Sequence, residues 1–181
     1  MTPPTITMFD PRAARPTHDF AHQARLFCCR VDPSGRWVFA GATDRTIQRW
    51  RIDTGEKTAF SGHDNWVCAL GFSPDGAALY SGGYDGRLLQ WETAVDAPRP
   101  IRAIDAHQGW LRSLAVSDDG QWLATCGNDR LVKVWSSADG RLARELTGHR
   151  QQVFCVRFVP GTRELVSGDI DRKSTRLNSS H

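Results

Sequence analysis

Short runs of alternating apolar and polar residues recur along most of the chain, and turn residues bound each run. Four of these runs, LFCCRV, WVCALGF, WLRSLAV and QVFCVRF, lie at similar distances from one another along the sequence. Alternation with a period of two is typical of β-strands, because successive side chains on a strand point to opposite faces of the sheet. Since no segment shows helical periodicity of useful length, the pattern predicts an all-β protein.

Turn residues follow each of the four runs. The turns read DPSG at 32–35, SPDG at 73–76, SDDG at 117–120 and VPGT at 159–162. Such sequences favour tight turns, because glycine adopts positive φ angles without steric cost. A second run follows each turn, and in the first three groups a third run (TIQRW, RLLQW, LVKVW) and, after a looser linker, a fourth run come next. Each complete group therefore predicts a four-stranded antiparallel meander.

Three residue types recur at fixed spacing through these groups. Successive histidines are 41, 44 and 42 residues apart at His22, His63, His107 and His149. An aspartate follows each histidine by 22 residues, at Asp44, Asp85, Asp129 and Asp171. A tryptophan follows the first three aspartates by six residues, at Trp50, Trp91 and Trp135. A register held through four copies indicates a tandem structural repeat of about 42 residues.

These markers resemble the WD40 repeat family over residues 14–171, in units of roughly 14–51, 56–92, 100–136 and 141–171. The matching features are the Gly-His or Ala-His pair, the S-P-D-G turn, the S-G-x-x-D turn and the tryptophan that ends the third run. One departure is that the family's Trp-Asp dipeptide reads Trp-Arg, Trp-Glu and Trp-Ser here. The resemblance implies an incomplete β-propeller with about three full four-stranded antiparallel blades and part of a fourth.

His63, Ser81 and Asp85 together have the residue types of a hydrolase triad. The same set returns in later units with Thr125 or Ser167 as the hydroxyl, whereas an enzyme needs one nucleophile in one cleft. The resemblance implies instead a buried hydrogen-bond network in each blade, so no catalytic or metal-binding residue is expected. Its members are His22, Asp44, Trp50, His63, Ser81, Asp85, Trp91, His107, Thr125, Asp129, Trp135, His149, Ser167 and Asp171. Ala40 stands at the hydroxyl position of the first blade, which is therefore predicted to be the weakest complete one.

The resemblance also implies a partner-binding top face, lined by residues three and five positions after each histidine and one before each aspartate. These residues are Arg25, Phe27, Thr43, Trp66, Cys68, Tyr84, Trp110, Arg112, Asn128, Gln152, Phe154 and Ile170. Large aromatic residues and arginine are the types that concentrate binding energy at interfaces. The alternative is that Trp66 and Trp110 pack between neighbouring blades, and the solvent exposure of the two indoles separates these interpretations.

Both ends of the chain depart from the repeat. Residues 1–13 precede the repeats, and two interpretations of them stay open: a further strand or a flexible segment. The stretch Arg12–Phe20 stands where an outer strand belongs, and we expect it to be poorly packed. Residues 172–181 do not continue the pattern, since Leu177 occupies the tryptophan position, and they resemble a translated sequencing adapter. The alternative is a genuine polar tail; the adapter interpretation predicts a longer reading frame.

Composition narrows the classes of partner. The net charge is +3, but without residues 172–181 the chain has 20 basic and 20 acidic residues, which argues against nucleic-acid binding. The chain has no apolar run long enough to span a membrane and no apolar leader, so we expect a cytoplasmic protein. None of the five cysteines forms a CxxC pair. Buried thiols in a reducing compartment are therefore expected, with metal binding as the alternative.

These features predict a non-catalytic protein–protein interaction scaffold that binds a peptide or protein on the top face. No phosphate-binding glycine motif or HExxH is present, and no cofactor or small-molecule substrate is expected. Two alternatives stay open. The propeller could be a regulatory or sensory domain of a larger protein with catalysis elsewhere, or an enzyme whose site lies in blades beyond this sequence.

Overall fold

The computed structural model describes residues 10–96 and 98–170, together with the strand at 174–178, whose side chains are left undescribed. These residues form fifteen β-strands and no helix, which confirms the all-β prediction. Within the same ranges, no helix has the length and apolar character that crossing a membrane requires.

The strands form four antiparallel sheets, which we call blades one to four in chain order. Blade one contains β1 (Leu26–Val31), β2 (Trp37–Ala42), β3 (Thr46–Arg51) and β4 (Lys57–Ser61). Blade two contains β5 (Val67–Phe72), β6 (Ala78–Gly83), β7 (Arg87–Glu92) and β8 (Arg102–Asp105). Blade three contains β9 (Leu111–Val116), β10 (Trp122–Gly127), β11 (Val132–Ser136) and β12 (Leu142–Leu146). Blade four contains β13 (Val153–Phe158), β14 (Glu164–Asp169) and β15 (Ser174–Asn178). Each blade is a meander in which neighbouring strands pair in chain order, and the predicted incomplete propeller is thereby confirmed.

The register between the second and third strands is the same in all four blades. Trp50 pairs with Val38, Trp91 with Leu79 and Trp135 with Leu123. In blade four the corresponding pair is Leu165 with Leu177, so Leu177 lies at the backbone position of the repeated tryptophan. This shared register is what places the same residue types at the same point of each blade.

The apolar core lies between the blades. Phe39, Ile47 and Phe60 of blade one pack against Val67 and Leu79 of blade two, and all five side chains are at most 1% exposed. Similar clusters join blade two to blade three and blade three to blade four. Each fully buried side chain of this kind contributes about 1.5–3 kcal/mol of hydrophobic free energy. The stability of each blade therefore depends on its neighbours.

The propeller is not closed, so the first and last blades each have one neighbour. On blade one, Leu26 and Val31 are 44% and 56% exposed. Residues 10–25, which include the expected outer-strand segment Arg12–Phe20, form no strand, and residues 10–19 are exposed. Phe20 is the first residue of this segment to be partly buried, and its ring lies 5.9 Å from that of Trp50.

Candidate functional site

Blade two contains a chain of hydrogen bonds that links four side chains. The indole N–H of Trp91 donates to the hydroxyl oxygen of Ser81 over 2.8 Å. His63 lies beyond it, with Nε2 2.8 Å from Ser81 Oγ and Nδ1 2.8 Å from Asp85 Oδ2. The side chain of His63 is 1% exposed and that of Asp85 is 6% exposed. These four residues are therefore fixed in one buried arrangement.

A neutral imidazole satisfies every group of this chain. The Ser81 hydroxyl accepts from Trp91 and donates to Nε2 of His63, while the Nδ1–H of His63 donates to the Asp85 carboxylate. Burial raises the pKa of Asp85, but hydrogen bonds from His63 and from two backbone N–H groups outweigh it and hold this pKa below its usual value.

Blade three repeats the arrangement with threonine as the hydroxyl. Trp135 Nε1 donates to Thr125 Oγ1 over 2.8 Å, and His107 Nε2 lies 2.8 Å from the same oxygen. His107 Nδ1 is 2.9 Å from Asp129 Oδ1. Burial lowers the pKa of His107, and although Asp129 opposes this effect, the pKa stays below its ordinary value.

This pKa shift predicts an acid-sensitive step in stability. Below pH about 6.5, His107 binds a proton in the unfolded chain but stays neutral in the folded protein, where its pKa is lower. The free energy of unfolding therefore falls as the pH drops from about 6.5 toward the pKa of His107 in the folded protein. We expect the free energy of unfolding from urea titrations between pH 7.5 and 5.5 to fall less steeply in His107→Gln than in wild type. One histidine contributes at most about 1.4 kcal/mol per pH unit. His18→Gln is the control, because His18 is exposed; equal slopes in wild type and His107→Gln would contradict the prediction.

In blade four the described contact of the histidine is with Asp169, two residues before the aspartate that the 22-residue spacing predicts. His149 Nε2 is 2.7 Å from Ser167 Oγ, and its Nδ1 is 2.9 Å from Oδ2 of Asp169, which lies 20 residues further along the chain. Asp171 lies outside the described residues. The sequence SGDID carries two candidate aspartates, and the spacing alone selected the second.

Blade one has a shorter network. His22 contacts Asp44 through Nε2, at 2.7 Å, whereas the other blades use Nδ1. Its Nδ1 lies 3.0 Å from Nζ of Lys57, and Ala40 offers no hydroxyl. The side chain of Asp44 is 36% exposed, compared with 6% for Asp85. That blade one is the weakest complete blade stays a prediction, but its more exposed His22–Asp44 contact points in the same direction.

The networks do not present a nucleophile to solvent. The three hydroxyl residues Ser81, Thr125 and Ser167 are all 0% exposed. No group of three or more metal-ligating side chains with suitable geometry occurs in the part of the chain that the structure describes. The arrangement can hold the strands and loops of each blade together, but it offers no access for a substrate to these hydroxyls.

Five predicted top-face residues lie along one strip, which we call the aromatic face: Phe27, Trp66, Tyr84, Trp110 and Phe154. Trp66 lies 5.5 Å from both Phe27 and Tyr84, measured between ring centroids. Tyr84 stacks on Trp110 at 4.2 Å with an interplanar angle of 5°. These residues lie near the start of the first strand of each blade, or in the loop between the second and third strands of blade two, so they share one end of the propeller.

The aromatic face is open to solvent. Phe27, Trp66, Trp110 and Phe154 are 45%, 42%, 39% and 41% exposed, respectively, and Tyr84 is half-buried. The rings contact their neighbours across blade boundaries, but neither indole is buried below the rim. The exposure of Trp66 and Trp110 therefore supports the interpretation as a surface and disfavours simple packing between blades.

Arg112 bridges the strip between blades three and four. Its guanidinium carbon lies 4.4 Å from the Trp110 ring centroid, 4.7 Å from that of Phe154 and 5.3 Å from that of Tyr84. Nε of Arg112 donates to Asn128 Oδ1 over 2.8 Å, and Nη1 donates to the Tyr84 hydroxyl over 3.1 Å. The sequence placed Arg112 on this face but gave no sign that it contacts three rings.

The other predicted top-face positions vary in accessibility. Arg25 and Ile170 are exposed, whereas Thr43, Cys68 and Gln152 are half-buried. The Cys68 thiol lies 2.9 Å from the carbonyl oxygen of Leu111, and burial raises its pKa to about 12. Cys68 is therefore protonated at neutral pH and is a poor candidate for a reactive thiol.

Comparisons with known proteins match this architecture. A family model described as WD domain, G-beta repeat matches residues 14–51, 55–92, 98–136 and 140–173, which together exceed half of the chain. The chain is 36% identical over 91 residues to guanine nucleotide-binding protein subunit beta-5b of Danio rerio, covering 48% of this chain and 23% of that protein. It is 32% identical over 74 residues to small ribosomal subunit protein RACK1y of Oryza sativa subsp. japonica, covering 39% and 22%, respectively.

A solved structure, that of U3-55K, matches with a TM-score of 0.77 over 87% of this chain and 53% of that one. The two sequences are 23% identical, so this match shows the fold alone. The aligned regions thus span less than a quarter of the two curated relatives and about half of the solved chain.

Proposed function

The chain belongs to the WD40 repeat family, and from that premise we propose that it is a non-catalytic scaffold that binds a peptide or protein partner on the aromatic face. WD40 propellers typically mediate protein–protein interactions. The guanine nucleotide-binding protein subunit and the small ribosomal subunit protein that it resembles are, by their names, subunits of larger assemblies. Both facts favour a protein partner for this chain.

The observation that carries the proposal is the exposure of the aromatic face. Soluble proteins rarely leave contiguous apolar patches open unless the patch has a partner. Aromatic side chains lose little conformational entropy when they bind, and tryptophan, tyrosine and arginine dominate interface hot spots. Here two tryptophans, a tyrosine and an arginine contact one another on a single face. A partner that covers this strip would bury several such residues at once.

We expect the double variant Trp66→Ala/Trp110→Ala to weaken partner binding by at least about 30-fold, because each indole has the properties of a hot-spot residue. The partner would be captured with the full chain from a lysate of the source organism and identified by mass spectrometry. Its affinity would then be measured by isothermal titration calorimetry.

Trp122→Ala is the matched control for this experiment. Trp122 is 38% exposed, almost the same as Trp110, but it begins β10 and so lies at the opposite end of blade three. Its removal should leave the affinity unchanged. Equal binding by wild type and the double variant, or an equal loss in Trp122→Ala, would count against the aromatic face as the binding surface.

A further inference from the structure

Arg112 is the cation that the aromatic face holds between Trp110 and Phe154. Tyr84 belongs to blade two, Trp110 directly precedes the first strand of blade three and Phe154 lies in blade four; the guanidinium contacts all three rings. Cation–π contacts of this kind hold a guanidinium against the rings, while its N–H groups can still donate hydrogen bonds. The position of the charge within the strip is therefore defined before any partner arrives.

Arg112 has hydrogen-bonding capacity that the fold does not use. A guanidinium has five N–H donors; Asn128 and Tyr84 accept from Nε and Nη1, respectively. Within the described residues, no carboxylate forms an ion pair with Arg112. Two arginines with solvent-exposed side chains elsewhere do form such pairs within their turns: Arg51 with Asp53, and Arg141 with Asp139.

The surroundings of Arg112 favour a carboxylate as its missing partner. The group is half-buried among rings, which lowers the local dielectric and strengthens an ion pair relative to one on an open surface. Arginine binds carboxylates through two parallel N–H···O bonds, which add geometric specificity. Apolar subsites lie on both sides, with the rings of Phe27 and Trp66 beyond Tyr84 in one direction and Phe154 in the other.

Building on the proposed function, we propose that the aromatic face binds an extended peptide segment in which an aspartate or glutamate lies between apolar side chains, its carboxylate paired with Arg112. Ring-to-ring and ring-to-guanidinium distances along the strip are 4.2–5.8 Å. An extended chain rises about 3.3 Å per residue, so the apolar residues should lie about two positions from the acidic one.

A single-stranded nucleic acid could in principle stack its bases on the rings and place a phosphate at Arg112. Such sites combine stacking platforms with a positively charged groove along the backbone. Here residues 1–171 have 20 basic and 20 acidic residues, and Asp64, which is 80% exposed, pairs with Arg87 near the same end of blade two. The charge balance favours a peptide, and the nucleic acid is an outcome of the test.

The test begins with phage-displayed random dodecapeptides selected on the immobilised full chain. Selected peptides would be synthesised with a fluorophore and titrated by fluorescence anisotropy against wild type, Arg112→Gln and Arg112→Lys. We expect enrichment of an acidic residue flanked by apolar ones, and a loss of affinity of at least about 10-fold in Arg112→Gln. Arg112→Lys, which keeps the charge but loses the planar fork, should lie between them. Circular dichroism would establish that each variant is folded.

Two controls make the result specific to Arg112. Arg141→Gln removes an arginine from the turn between β11 and β12, at the opposite end of blade three, and should bind like wild type. Replacing the acidic residue of the peptide by its amide should weaken wild-type binding about as much as Arg112→Gln does. The same peptide change should then have little further effect on the Arg112→Gln variant, because the two groups form one interaction.

The outcomes separate the inference from the proposed function. Peptides that lack an acidic residue, and whose binding is lost in Trp66→Ala/Trp110→Ala but kept in Arg112→Gln, would overturn the inference and leave the binding face standing. Selection of no peptide would overturn both the inference and the proposed function. Selection of peptides that bind Arg112→Gln and Trp66→Ala/Trp110→Ala as tightly as wild type would do the same. Preferential binding of a labelled twelve-nucleotide oligo-uridine through Arg112 would overturn the peptide assignment as well.

Discussion

Replacing Trp91 with alanine is expected to lower the free energy of unfolding by about 3–5 kcal/mol, the range for buried aromatic side chains truncated to alanine. Trp91 is 0% exposed and packs edge-on against Phe60 at the junction of blades one and two, with 5.7 Å between ring centroids. Its removal leaves a cavity at this junction and takes away the donor to Ser81. Both losses fall on the same core cluster.

Trp91→Phe separates the two contributions. The phenyl ring keeps most of the packing but has no N–H, so its effect reports the hydrogen bond to Ser81 and the smaller ring, and we expect a loss of about 1–3 kcal/mol. Trp122→Ala is the control, because Trp122 is 38% exposed, and should change stability by less than about 1 kcal/mol. Urea unfolding followed by far-ultraviolet circular dichroism gives all three values. Similar losses in Trp91→Ala and Trp122→Ala would show that Trp91 does not hold the blades together.

The sequence predicted the fold because the repeat ties residue types to strand positions. A tryptophan six residues after an aspartate falls opposite Val38, Leu79 or Leu123 in the same register each time. Alternation and turn residues then define the strands between these markers. An interior position in a meander is determined mainly by neighbours close in sequence, so it can be predicted from the order of residues.

The details of the site depend on contacts that no local pattern encodes. Arg112 meets Phe154 and Tyr84, which lie more than 25 residues away on other blades, so its stacked position follows only from three-dimensional packing. Likewise, His22 uses Nε2 rather than Nδ1 to contact Asp44 because ring rotation responds to its surroundings, here Lys57 on the other nitrogen. Spacing could name Asp171 but could not show that Asp169 contacts His149.

Gly86→Ala should destabilise the protein by about 3–5 kcal/mol, more than a left-handed backbone alone explains. Gly86 has a φ of +78°, and a Cβ atom there would lie 2.3 Å from the carbonyl oxygen of His107 and 2.5 Å from that of Gly109. Both contacts are to backbone, so no side-chain rotation relieves them. The carbonyl of Gly86 also accepts hydrogen bonds from the N–H groups of Ala106 and His107. These bonds hold the backbone at residues 106–107 close to Gly86.

The turn itself is not the reason for this expected loss. Arg45 and Arg130 follow the aspartates of blades one and three, as Gly86 follows Asp85, and they have φ values of +72° and +68°. A side chain is therefore compatible with the left-handed conformation at the equivalent position of two other blades, and the expected loss at Gly86 comes from the contact with the backbone of residues 107–109.

Gly55→Ala is the matched control for Gly86→Ala. Gly55 has a φ of +73°, but a Cβ atom there would have no neighbour within 4 Å, so we expect a loss of only about 1–2 kcal/mol from backbone strain. Both substitutions restrict the unfolded chain equally, so the difference between them in urea unfolding isolates the steric contact. Residues 107–109, which the new Cβ atom would displace, lead directly into Trp110. Gly86→Ala should therefore also weaken the binding of any ligand to the aromatic face. Equal stability losses in the two variants would mean that the segment at 107–109 moves aside freely, and that the fold does not hold Trp110 rigidly in place.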